Sequence, residues 1–334
     1  MVPRFAIASL ACAAVLAAAL ASAPAATTSA LGPYPDLGGC RVFPDPPRSL
    51  PANAPSLPNQ AAWNQDVSRA PLAPNSAAII AYINAHGGNF LHPDFGSPRA
   101  YGFPYAVVGR NQTRLPIHYT AYGSESDPGP FPIPRRAPVE GGQRSDGDRH
   151  VLVVDRASCF LYELYRGFFV SRGRDHWNAD SGVSWNLRSS GLRRDGYTSA
   201  DAAGLPIFPG LVRYDEVRRG RIDHAIRVTF ESTRDGWIHP ASHCAGDTSN
   251  PNAPPMGLRL RLRAGYGLGR FSGPAKVIAR ALKRYGFLVA DNGSNWFFSG
   301  TSDRRWPDEN LNQLKRIPGS AFEVVRSRAS VHVC

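Results

Sequence analysis

The segment Met256–Arg263 reads Met-Gly-Leu-Arg-Leu-Arg-Leu-Arg. Its period of two places Leu258, Leu260 and Leu262 on one face of a β-strand and Arg259, Arg261 and Arg263 on the other. A helix would repeat its apolar positions every three or four residues instead. The leucines need a core and the arginines line up as a cationic ladder, so the chain must build a sheet with at least one covered face.

Other segments carry the strand signal: Tyr105–Val108, Pro116–Tyr119, Ile222–Phe230 and Phe322–Val325. His150–Asp155 and Phe160–Tyr165 flank Arg156-Ala157-Ser158-Cys159 as a hairpin. Phe287–Ala290 and Asn295–Ser299 flank the turn signal Asp291-Asn292-Gly293 as a second hairpin. Helical periodicity marks Pro74–His86, with Ile79, Ile80 and Ile83 on its apolar side. It also marks Pro274–Tyr285, where Val277, Ile278, Ala281 and Leu282 form a stripe that Gly286 closes. Asp308–Arg316 is a last helix. Residues 123–149 form a long Pro/Gly-rich loop, and 171–199 are polar, with Trp177 and Trp185 embedded. Strands that alternate, rather than run continuously apolar, favour antiparallel pairing. The expected fold is mainly β, an antiparallel β-sandwich or jelly-roll-like body with a few peripheral helices. An α+β fold with one covered antiparallel sheet is the alternative.

Residues 1–26 read as a signal peptide. Arg4 precedes the uncharged apolar run Phe5–Leu20, and small residues that fit a cleavage site follow. The run is shorter than the roughly 20 residues that span a bilayer, so secretion is expected, with no stable membrane insertion. Residues 27–60 read as a Pro/Ala-rich linker or surface arm, and 61–334 as a single globular domain, expected to be a monomer. Beyond the leader lie Cys40, Cys159, Cys244 and Cys334. An even count in an exported chain implies disulfides, with three possible pairings. Cys159–Cys244 and Cys40–Cys334 is the preferred set. The second closes a very long loop, worth about 4–5 kcal/mol in the chain-entropy treatment.

The net charge is +12, and Lys276, Lys283 and Lys315 are the only lysines. Guanidinium matches carboxylate, sulfate and phosphate as a fork. A GC-rich genome gives the same arginine bias, so patterning carries the argument rather than the count.

No phosphate-binding loop, dinucleotide fingerprint or nucleophile elbow stands between a strand and a helix. His239 and His243 have helical zinc spacing, but Pro240 separates them and the glutamate of the metalloprotease pattern is missing. No metal and no cofactor are expected. Glycoside hydrolysis needs two carboxyl groups, and Glu163, Asp215 and Asp291 are the leading candidates. Glu163 interrupts the apolar strand Tyr162-Glu163-Leu164-Tyr165, a setting that raises a carboxyl pKa. A polysaccharide lyase instead neutralises a uronate and abstracts a proton with Tyr or His. His224 is the candidate base, with Arg227, Arg259, Arg261 and Arg263 binding the anion. Strand parity groups His224 with Ile226, Val228 and Phe230, which equally fits a buried histidine. Trp177, Trp185, Trp237, Trp296 and Trp306 fall in or beside polar segments. Trp296 is taken as a sugar-stacking candidate; a lone tryptophan more often plugs a loop onto the core.

The stretches Glu125-Ser126-Asp127-Pro128-Gly129-Pro130, Ser199–Pro206 with Pro209–Glu216, and Lys283–Gly286 with Ala290–Ser294 resemble a family of secreted microbial proteins without an assigned activity. The resemblance runs from about Trp63 to Val325. It implies secretion and a single domain, and supplies no catalytic residues.

Export, the cationic strand, the aromatics and the long loop point to a secreted carbohydrate-active protein, a lyase or hydrolase of an anionic polysaccharide. The alternative is a non-catalytic secreted protein that binds a cell-wall glycan. Export makes nucleic acid an unexpected native partner.

Overall fold

In the computed structural model, which describes residues 37, 40, 42, 62–97, 101–188 and 191–334, the leucine–arginine segment is the strand Arg259–Leu262. The expected signal peptide and nearly all of the 27–60 arm lie outside the described residues. Among the described residues fifteen strands form four sheets, with four short α-helices. The body is mainly β.

The largest sheet has six strands in the order His92–Asp94, Phe297–Ser299, Ile226–Phe230, Phe287–Asn292, Arg259–Leu262 and Phe322–Val324. It is not antiparallel throughout. Ile226–Phe230 runs parallel to Phe287–Asn292, and His92–Asp94 parallel to Phe297–Ser299. Parallel pairs also occur in the four-stranded sheet, Tyr105–Val108 with Val151–Asp155, and in the three-stranded sheet, Ile117–Tyr119 with His176–Ala179. Alternation misled here because it reports a half-buried face, whichever way the neighbour runs.

The hairpin expected across Asp291-Asn292-Gly293 does not form. Phe287–Asn292 and Phe297–Ser299 lie on opposite sides of Ile226–Phe230 and pair with it, not with each other. The other expected hairpin, Val151–Asp155 with Phe160–Tyr165, is present. Residues 171–199 hold two strands, His176–Ala179 and Ser181–Asn186, in place of the expected polar stretch. Trp177 and Trp185, whose exposure the polar context suggested, are buried.

Both faces of Val151–Asp155 are covered. Val151 and Val153 pack with Tyr162, Leu164, Trp177 and Ala179 in a smaller core, while Leu152, Val154 and Leu161 join the main one. Burying each such side chain stabilises by about 1.5–3 kcal/mol. The helix Gly273–Arg284 buries Ala275, Val277, Ile278, Ala281 and Leu282 and leaves its basic residues outward. It stops at Gly286, whose φ is +68°; a Cβ there would stand 1.9 Å from the Leu260 carbonyl oxygen. Only glycine permits both that conformation and that approach.

The arginine ladder is not a surface. Leu258, Leu260 and Leu262 are buried as expected, but so are Arg259 and Arg261, 9% and 7% exposed, because residues 62–73 lie across them. Arg259 donates to the carbonyls of Tyr285 (2.5 Å) and Ala62, and Arg261 to those of Val67 and Ala70 and to Glu323 (2.7 Å). Irregular backbone brought against a sheet leaves carbonyls without partners, and a guanidinium with five donors satisfies several at once. Burial without a carboxylate partner pushes the Arg259 pKa down to about 9. Arg263 alone of the three is exposed.

The disulfides are Cys40–Cys159 and Cys244–Cys334, bridging 119 and 90 positions, not the preferred pairing. Cys244–Cys334 holds the strand His332–Val333 beside Gly236–Trp237. No helix among the described residues is long and apolar enough to cross a membrane. Peptide mapping under non-reducing conditions should recover Cys40 linked to Cys159 and Cys244 to Cys334; a Cys159–Cys244 peptide would contradict this arrangement.

Candidate functional site

Three strand ends of the four-stranded sheet stand together. His150 precedes Val151–Asp155, Tyr165 ends Phe160–Tyr165, and Ser181 opens Ser181–Asn186. The loop Ser199–Gly204 joins this end to the largest sheet. It accepts from the Ser181 hydroxyl at Ser199 O (2.7 Å), and Ala203 N–H donates to Ala290 O (3.0 Å). A pocket of about 280 Å³ opens at this seam, lined among others by Tyr122, Asp148, His150, Tyr165, Asp201, His243 and Asp291.

Asp291 owes its position to a β-bulge. Leu288 pairs with Arg227 and Val289 with Val228, after which the register skips Ala290 and pairs Asp291 with Thr229. Without the skip, Asp291 would oppose Phe230 and point to the other face. The extra residue turns its carboxyl onto the face that carries Arg227, as bulges beside functional sites often do.

Arg227 is the hub. Its Nη1 donates to Ser299 Oγ (2.9 Å). Its Nη2 donates to Asp201 and lies 3.5 Å from Asp291 Oδ2. The Arg227 and Asp201 side chains are 3% and 0% exposed, whereas Asp291 keeps 26% and faces the pocket. One guanidinium compensates one carboxylate, and a second carboxylate in the same buried place is left unfavourable. Burial is the main cause that raises Asp201, to about 7 with Asp291 adding to the shift, while Arg227 opposes it. Burial likewise raises Asp291. Each carboxyl is therefore harder to ionise than an ordinary aspartate. Asp201 Oδ2 is buried and has no hydrogen-bond partner among the described residues.

His150 is a fixed cation rather than a base. Its Nδ1–H donates to Glu140 Oε2 (2.5 Å) and its Nε2–H to Ala200 O (2.9 Å). Both partners only accept, so both ring nitrogens must carry protons. Burial lowers its pKa, but Glu140 overrides this and lifts it to about 9. The imidazolium thereby clamps the residue next to Asp201. His243 donates through Nδ1 to Ala202 O (3.0 Å), while His239 pairs with Asp195, so the two histidines engage different partners.

Of the catalytic and anion-binding candidates named from the sequence, Arg227 and Asp291 meet here, and His243 of the histidine pair lines the same pocket. Glu163 is fully buried away from the pocket lining, accepting from the backbone N–H groups of Ile207 (3.0 Å) and Phe208 (2.9 Å) and from Trp185 Nε1 (3.0 Å). Burial raises it to about 7 against those donors. His224 sits with Glu216 (3.1 Å) and Arg213 (2.9 Å), fully enclosed. Asp215 lies 3.6 Å from Arg305. Arg259 and Arg261 are engaged as described above. Trp296 is buried against Phe230 and Phe322 and donates to Asn84 (2.9 Å), which removes it from any sugar-stacking surface. Asp148, Asp201 and Glu140 were not among the candidates, since their meaning arises from the seam, while strand parity with Leu152 and Val154 pointed to a buried His150, which it is.

Comparison with family models, curated proteins and solved structures finds no match.

Because the folded pKa of His150 is raised, its stabilisation is complete below pH 6.5 and is lost as pH rises through about 9. Urea unfolding should therefore show a loss of about 3 kcal/mol between those values. Glu140→Gln should remove most of that stability at pH 6.5 and flatten the curve from pH 7 to 9. An unchanged wild-type slope in the variant would show that the pair is not ionic.

Proposed function

We propose that the seam pocket is the active site of a secreted glycoside hydrolase, with Asp291 as the general acid and Asp148 as the carboxylate facing it. The observation that carries this reading is the Asp201–Arg227–Asp291 cluster. Burial raises the proton affinity of both carboxyls, and Asp291 is the member that reaches the pocket. Asp148 is exposed and lines the same pocket. One carboxyl held protonated by burial and a second left in water is the division of labour that glycoside cleavage requires. Asp291 gives its proton to the leaving oxygen while Asp148 either takes a proton from water or attacks the sugar carbon. Asp201 acts as a positioning residue through Arg227.

A pocket of this size takes one sugar unit, with Tyr122 and Tyr165 beside it. Its carboxylates disfavour a uronate inside it and favour an uncharged or amine-bearing ring. A lyase is less well supported, because Arg227 is occupied by Asp201, Asp291 and Ser299 and both nitrogens of His150 are engaged. The two disulfides fit an oxidising compartment.

The test is a digestion screen of neutral, amino-sugar and uronate polysaccharides with the oxidised protein. New reducing ends without unsaturated-sugar absorbance are expected, with the loss of activity at rising pH displaced above the ordinary carboxylate range. Asp291→Asn should lower kcat about a thousandfold with its unfolding curve intact. Turnover that survives this substitution, or that generates unsaturated sugar, would overturn the assignment.

A further inference from the structure

Between Asp247 and Asp291 the chain contains no acidic residue and eight cations, two thirds of the net charge of +12. Three of the eight are enclosed or ion-paired: Arg259 and Arg261 under residues 62–73, and Arg284 with Asp66 (2.8 Å). The others come to the surface together. On the helix Gly273–Arg284, Lys276, Arg280 and Lys283 are spaced four and three apart and share the face opposite the buried stripe. Lys283 Nζ donates to Ala264 O (2.7 Å), which brings the glycine-rich turn holding Arg263 and Arg270 against the helix. Arg270 reaches Tyr266 and approaches Arg316 O (3.4 Å), joining Lys315 and Arg316 to the same face. Arg263, Arg270, Arg280, Lys315 and Arg316 are exposed, and none of these seven cations is in an ion pair among the described residues. Glu309, on the short helix packed at the start of Gly273–Arg284, is the acid that borders them.

We infer that this face is a docking surface for an anionic polysaccharide, separate from the seam pocket. Seven uncompensated charges on one face create a field that concentrates a polyanion, and the guanidinium forks fit carboxylate and sulfate. The half-buried ring of Tyr266, held beside Arg270, adds an apolar plate for the C–H face of a sugar. His92 registers the unbalanced field: burial, and then Lys315, lower its proton affinity. The face would hold the protein on a polymer without taking part in bond cleavage. It gives the anionic partner expected from the sequence a different location, since the ladder that suggested it is enclosed.

The experiment measures binding of the full oxidised protein to immobilised polygalacturonate and dextran sulfate, with dextran, duplex DNA and anionic phospholipid vesicles in parallel. The variant R263E/R280E/R316E reverses three exposed charges whose side chains make no hydrogen bond among the described residues. A control, R110E/R144E/R172E, makes the same change in net charge on other exposed loops. At physiological salt the first variant should bind at least about tenfold more weakly and the control within about twofold of wild type. The two polymers distinguish carboxylate from sulfate as the preferred group. Equal weakening in both variants would reduce the effect to net charge and overturn the surface. Equal or tighter binding to DNA or vesicles would overturn the polysaccharide assignment. D291N should bind like wild type, so failure of the pocket reading would not touch this one.

Discussion

Arginine satisfying backbone carbonyls is the interaction on which this structure rests. Much of the chain is irregular, and irregular segments packed on sheets present acceptors that no ladder can meet. Arg149 donates to Gly167, Gln143 and Ser145; Arg213 to Phe208; Arg259 to Tyr285 and Ala62; Arg261 to Val67 and Ala70. Arg193 does the same for Thr198 and Glu125. A lysine has three donors radiating from one atom and a strongly hydrated charge, and cannot replace a planar fork that reaches two loops at once. The scarcity of lysine therefore has a structural side, whatever the genome contributes. Removing one such guanidinium would strand several buried carbonyls together, at about 1–3 kcal/mol each.

Arg227 applies the same device to carboxylates and so creates the site. Its strand is central in the largest sheet, and its guanidinium reaches the neighbouring strand at Ser299 and the crossing loop at Asp201. The loop is held from the other side by the His150 imidazolium. Two fixed cations thus define where the acids stand, and the β-bulge at Ala290 brings Asp291 to them. Burial, with one guanidinium facing two aspartates, raises the proton affinity of both. The chemistry of the pocket follows from that imbalance rather than from any unusual residue.

Part of the strand and helix content was legible in the sequence because it rests on periodicity, though the strands His176–Ala179 and Ser181–Asn186 were not. Arg259–Leu262, Gly273–Arg284 and the hairpin after Val151 needed only local pattern. What was not legible depended on what covers each element. The same alternation that located Leu260 suggested that Arg259 faces solvent, and only the roof of residues 62–73 shows otherwise. The turn signal at Asn292-Gly293 was real, but the chain after it passes to the far side of Ile226–Phe230. Tryptophans in polar segments proved to be buried because sequence neighbours are not spatial neighbours. Arg227 and Asp291 were both named, for different reasons, and 64 positions separate them. A register skip of one residue, invisible to pattern reading, brought them together.

The chain's basic excess is best understood as two populations of cation with different solvation. The enclosed arginines have exchanged water for carbonyls or carboxylates, and their charge is spent inside the fold. The cations along Arg263–Lys283 and at Lys315 and Arg316 lie at or near the surface and form no ion pair among the described residues. An exposed charge contributes little to folding, and crowding several of one sign repels. The fold gains little from that arrangement, and this is the ground on which a negative binding partner is proposed. The acids are distributed in the opposite sense, with Asp148, Asp201 and Asp291 gathered at the seam. One molecule thus carries a basic exterior face and an acidic pocket, and a polymer held by the first would meet the second with the part of its chain that bears no negative charge.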